Sequence, residues 1–248
     1  MTEPAPLIAH APRLLREMLP TEVANAIASD PRMILPVGTC EQHGPHLPIG
    51  TATIIAERLA DDLSARFGVL RAPTIEYGVN VATEGGRPGN ASVRKKTLHR
   101  TLNDLLDSWE QSGVREFILI TAHDHDPHQE ALSTVVTTTA RVRVVDLFAV
   151  DISDLLEGQL EHMHGDEADT SLMLHLAPHL VRMDLASDHM MSREALRRYR
   201  RGWLSVPRAS AGSIGRPTLG TASKGRAIYE RIRARISERI FLTPVADS

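Results

Sequence analysis

The sequence predicts an α/β protein with a mostly parallel sheet covered by helices on both faces. Three observations carry this. Met33 to Val37 and Phe117 to Ile120 are short, nearly continuous apolar runs, the pattern of strands buried on both sides. Between them lie longer segments with apolar residues at helical spacing. In Lys95–Gln111, for example, Leu98, Leu102, Leu105, Leu106 and Trp109 share one face. Finally, 42% of the 248 residues are apolar but only 4% are aromatic, so the chain can bury a large core that must be aliphatic.

Taken in order, Pro4 to Pro12 reads as an N-terminal arm, and Thr21 as the N-cap of a short helix ending near Ser29. The Met33–Gly38 strand is followed by an amphipathic helix, Thr51–Phe67, and by a short strand at Val69-Leu70. After the Lys95–Gln111 helix and the Phe117–Ile120 strand, His128–Ala140 fits a helix with a weak, Thr-rich end. Val142–Val150 is a further strand, Glu167–Leu176 is apolar at helical spacing, and Ser223–Ile240 is a long amphipathic helix. No repeat or interdomain linker interrupts this order. The expected organisation is an arm and short helix over residues 1–30, then a single α/β domain over 31–248.

The formal net charge of −3 gives no footprint for nucleic acid or an acidic membrane surface. The single cysteine, Cys40, rules out an internal disulfide framework. No apolar run approaches the length of a membrane span, and the N-terminus lacks the pattern of a signal peptide. The expected setting is cytoplasmic, with a small-molecule substrate and neither nucleic acid nor membrane as partner.

An open, doubly covered sheet places its ligand site beyond the carboxyl ends of its strands. Two clusters lie there. The first strand runs into Gly38-Thr39-Cys40-Glu41-Gln42-His43-Gly44-Pro45-His46, where Glu41 and His43 are two apart and would project to one side of an extended segment. The Phe117–Ile120 strand runs into Thr121-Ala122-His123-Asp124-His125-Asp126-Pro127-His128, three histidines and two aspartates close together, where His123 and His125 repeat that spacing. A third cluster, Glu161 to Glu167, lies just before a helix that begins near Ala168. There His164 and Glu167 are three apart, so a helical first turn would put them on one face. Carboxylates and imidazoles from distant segments are the ligand types of zinc, manganese and iron. The bland readings are solvated loops for the first two clusters and helix-dipole acids for the third.

These residues resemble the creatininase (creatinine amidohydrolase) family. Leu35 to Pro48 looks like its opening signature, and Pro88-Gly89-Asn90 like a following Pro-Gly-Thr loop. His164 to Ser171 resembles its His-Ala-Gly-Glu-x-Glu-Thr-Ser stretch, and Gly215 to Thr218 with Thr221 to Gly225 its C-terminal signature. The resemblance implies a three-layer α/β/α sandwich, a divalent metal centre at the strand ends and homo-oligomers, hexameric in many members. It implies metal ligands at Glu41, His43, His123 and Glu167, with His125 at a ligating glutamate's position and His164 in proton transfer.

One departure stands out. Eleven residues after Glu41, where the family has a metal-bridging aspartate, this chain has Ala52. One ion is therefore expected rather than two, zinc first, with manganese or iron as alternatives. The implied activity is hydrolysis of a small amide-like C–N bond (cyclic amide, lactam or formamide) through a metal-activated water. The alternatives are ring opening of a cyclic ketone or short-peptide cleavage at the same centre, or metal binding without turnover. Gly85 to Asn90 is expected to form a loop near the site, and the arginines between Arg193 and Arg201 a solvated helix face or subunit contact.

Overall fold

The computed structural model describes residues 11–81, 87–201, 203–204, 206 and 210–242. Its centre is a five-stranded sheet in the order β1-β3-β2-β4-β5. The strands are β1 (Arg13–Leu14), β2 (Arg32–Pro36), β3 (Leu70–Arg71), β4 (Glu116–Thr121) and β5 (Arg141–Asp146), and every pairing is parallel. The register of the central pair sets Met33 beside Phe117 and Leu35 beside Leu119.

Period-two alternation sorts the strand side chains into two cores. Ile34, Ile118, Ile120 and Val145 face one way, onto α2 (Thr51–Phe67), α5 (Glu167–Leu176) and α7 (Ala222–Ile236). Met33, Leu35, Phe117 and Leu119 face the other, onto α1 (Pro20–Ser29), α3 (Lys95–Gln111) and α4 (Asp126–Ser133). The molecule is thus the α/β/α sandwich that the sequence predicts. Close approach of α5 and α7 depends on Gly225, where a Cβ would stand 1.8 Å from the carbonyl oxygen of Ser171.

The N-terminal segment is part of this body. Arg13–Leu14 pairs with β3 at the sheet edge, and α1 buries Ala26 and Ile27. That helix starts one residue before Thr21, at Pro20, with Leu19 as N-cap donating its backbone N–H to the Glu22 carboxylate. Helices α2, α3 and α5 have the bounds read from the sequence. By contrast, α4 begins two residues earlier, with Pro127 in its first turn, and stops at Ser133 before the Thr-rich tail. β5 also ends early, because the Asp146 side chain accepts from Phe148 N–H and turns the chain. The expected arm from Pro4 lies largely outside the described residues, as do Gly85 and Gly86.

The topology determines where the site sits. From β2 the chain passes to α2 on one face, and from β4 to α4 on the opposite face. The loops leaving the carboxyl ends of these neighbouring strands diverge and leave a crevice, the usual ligand position in such sheets. No helix among the described residues is long and apolar enough to cross a membrane.

Candidate metal centre

Both loops meet in that crevice. Glu41, His43 and His164 offer ligand atoms that all lie within 4.8 Å of one another, and all three residues are buried. His123 lies beside this group rather than in it, touching it through Nδ1, 3.4 Å from a Glu41 carboxylate oxygen. The His43 and His164 rings stack at 4.6 Å between centroids. His125 stands beside His123 at 5.9 Å between ring centroids and does not enter the convergent group.

Backbone carbonyls fix these imidazoles. His43 Nδ1 donates to Glu41 O at 3.0 Å, and His123 Nε2 to Val79 O at 3.0 Å. His125 Nδ1 donates to Arg200 O at 2.7 Å, and His164 Nε2 to Gln42 O at 2.8 Å. Each ring therefore keeps one nitrogen lone pair for another purpose: Nε2 of His43 and His125, and Nδ1 of His123 and His164. Such carbonyl support is the usual way a ligating histidine is oriented and its tautomer chosen. His128 shows the contrast, since Nδ1 accepts from Val79 N–H at 3.2 Å and Nε2 bonds to the Thr121 hydroxyl at 3.1 Å. Both of its nitrogens are engaged, so His128 is a structural histidine.

Burial keeps the group uncharged. It pushes the pKa of His43 and His125 down, and that of His123 far down, with His128 and His125 adding to the effect at His123. Burial together with the neighbouring His43 lowers His164 to about 3. Neutral imidazoles around a buried carboxylate are the protonation states that a divalent cation needs. This donor set fits a Zn, Mn or Fe ion.

Glu167 is not brought to this group. Its carboxylate accepts from Lys224 Nζ and from the backbone N–H groups of Glu157 and Gly158, each amide at 2.9 Å. The reason lies in where α5 begins. Asp166 is its N-cap and Gly165 has φ +58°, so the helical phase does not extend back to His164. Three-residue spacing across that corner does not put His164 and Glu167 on one face. The corner packs tightly: a Cβ on Gly165 would lie 2.4 Å from the carbonyl oxygen of His43.

A second buried cluster, His162, Asp166 and Asp169, also has metal-ligand chemistry. Its acceptors are filled from within. Asp166 caps Ala168 and Asp169 N–H and accepts from Met163 N–H at 2.6 Å. Asp169 takes Gly165 N–H at 2.8 Å and pairs with His162 Nε2 at 3.2 Å. Burial opposes charge on His162, but Asp169, Asp166 and Asp124 outweigh it and raise its pKa well above the usual value. Asp124, Asp146, Glu161, His162 and Arg200 line an adjoining cleft of about 410 Å³.

The family model for creatinine amidohydrolase matches residues 16–240. The chain belongs to the creatininase family. It is 28% identical over 219 residues to the mycofactocin precursor peptide peptidase of Mycolicibacterium smegmatis, covering 85% of this chain and 84% of that protein. It is also 28% identical over 187 residues to the creatinine amidohydrolase of Pseudomonas putida, covering 67% and 72%. A structure named "Creatininase Mn" superposes with a TM-score of 0.77 at 22% identity, over 93% of this chain and 99% of that one. A mutant creatininase described as "Zn-Zn type" gives 0.76 at 22% identity, with 93% and 99% covered. Creatininase-family members are hydrolases, and this chain is a hydrolase of that family.

Arg200, Asp124 and His162 hold the site's surroundings, and no motif spacing marks them as a set. Arg200 sits in a run of arginines that reads as solvated, yet its guanidinium pairs with Asp124 at 3.1 Å and Glu161 at 3.1 Å.

Proposed function

We propose that this creatininase-family hydrolase cleaves a small amide-like C–N bond at a centre in which Glu41, His43 and His123 hold one divalent cation. The supporting observation is the buried Glu41 carboxylate facing imidazoles that backbone carbonyls have already oriented. When bound, the ion would supply Lewis-acid polarisation of the carbonyl and a lowered pKa for water. His125 Nε2, at the edge of the group, is available to the ion or to substrate. His164, neutral at rest, is placed to take a proton at Nδ1 from the attacking water and return it to the leaving nitrogen. Ala52 is buried in the apolar core at the start of α2 and supplies no bridging carboxylate, which favours one ion over two. Zinc or manganese suits the donors, and the structural relatives include a creatininase described with Mn and one described as Zn-Zn type.

A second reading keeps the centre and changes the substrate to a short peptide. It is favoured by the match to a peptide peptidase over most of both chains. Chelated protein reconstituted with zinc, manganese or iron, and assayed on lactams, formamides, short peptides and cyclic diketones, separates the readings. Metal-dependent turnover of a C–N substrate is expected, and turnover that survives chelation would refute the proposal. A cytoplasmic homo-oligomer, hexameric by family resemblance, is the expected form, and light scattering of the purified protein checks the assembly.

A further inference from the structure

We propose that His162 is a positioning residue that clips the loop bearing His123 and His125 to the turn bearing His164. The proposal rests on the reading above that these histidines surround the reacting centre. The His162 ring lies between two carboxylates, with Nδ1 3.4 Å from Asp124 and Nε2 3.2 Å from Asp169. Its flat face stacks on Phe148, with centroids 3.4 Å apart and planes within 4°. Both ring nitrogens and one face of the ring thus have neighbours, and the residue is buried.

Each carboxylate leads to a different part of the site. Asp124 is flanked in sequence by His123 and His125, and the Arg200 guanidinium meets the same carboxylate oxygen as His162, at 3.1 Å. The carbonyl oxygen of Arg200 in turn anchors His125. Asp169, on the first turn of α5, holds Gly165 N–H, and Gly165 packs against the His43 backbone immediately after His164. One imidazole ring therefore links two segments, nearly forty residues apart in sequence, across the crevice. It also sets an imidazole nitrogen against the second buried acidic cluster, 3.2 Å from Asp169.

The test compares wild type with His162→Phe and Asp169→Asn. The phenylalanine keeps the stacking on Phe148 but loses both ion pairs. The asparagine still accepts from Gly165 N–H and loses only one charge, so it decides the matter if the first variant does not fold. Hydrogen exchange on metal-free protein is expected to show residues 122–126 and 163–166 losing protection together, while β2 and α2 keep theirs. Titration with Co²⁺ is expected to give binding weakened by about tenfold or more, with a shifted visible band, as for other changes behind a ligand. Folded variants with unchanged exchange in either segment, or with wild-type Co²⁺ affinity and spectrum, would overturn the clip. Wild-type protein that takes up no Co²⁺ would sink the metal reading instead, and the exchange result would still decide the role of His162.

Discussion

Lys224 closes on Glu167: the ammonium at the start of α7 donates to a fully buried carboxylate at the start of α5, which also collects two backbone N–H groups. This pair joins two helices of one layer and stands apart from the metal centre. Removing one member of a buried pair leaves an uncompensated charge, at a cost of about 3–5 kcal/mol. Lys224→Met is expected to show that loss in urea unfolding. Glu167→Gln is expected to lower Tm but keep its metal, and loss of the metal with an unchanged Tm would return Glu167 to the ligands.

That contrast also shows how far the sequence could be read. Helices α2 and α3 were legible to the residue because each pairs a clear apolar face with an unambiguous stop, such as Gly68 in the left-handed conformation after α2. The approach of His123 to Glu41 follows from the topology the sequence indicates, since both loops leave neighbouring parallel strands. Glu167 enters the ligand set only through the family resemblance; the glycine corner at Gly165 ends the helical phase before His164, and the Glu167 carboxylate turns to Lys224 instead. The roles of Arg200 and His162 could not be read, since each depends on partners from distant segments, among them Asp124 and Asp169, that only the fold brings together. The early ends of α4 and β5 were set by local bonds of Thr and Asp side chains, which compete with regular structure.

His164→Ala should retain metal and fold but slow turnover by roughly 10²–10⁴, the usual contribution of a positioned acid–base group. Its Nδ1 is the nitrogen left over after the Gln42 carbonyl takes the other. Steady-state kinetics beside metal analysis checks this, and an unchanged kcat would remove His164 from the mechanism.

His128 predicts a pH effect on stability. Burial lowers its pKa from 6.5 to about 3 in the folded protein. Below pH 6.5 the unfolded chain takes up a proton that the folded chain refuses, so stability falls as pH drops from 6.5 toward 3. Each such histidine contributes a slope of up to about 1.4 kcal/mol per pH unit in this window. His128→Gln should make the slope shallower by about one proton's worth, as measured by urea unfolding of metal-free protein between pH 4 and pH 7. An identical slope would mean that His128 titrates in the folded state.

Ala52→Asp restores a carboxylate at the first turn of α2, in a buried apolar setting. The metal-free variant should be less stable than wild type, because an unpaired buried charge is costly. Added Zn²⁺ or Mn²⁺ should recover that stability and raise the bound ions from one to two per chain, as read by elemental analysis. A variant that stays at one ion would separate the ion count from position 52.

The most direct measurement is a crystal structure of metal-replete protein with anomalous scattering recorded at the metal edge. The expected result is a single strong peak within bonding distance of the Glu41 carboxylate, His43 Nε2 and His123 Nδ1. A peak confined to His162 and Asp169, or no peak at Glu41 in protein shown to carry stoichiometric metal, would contradict it.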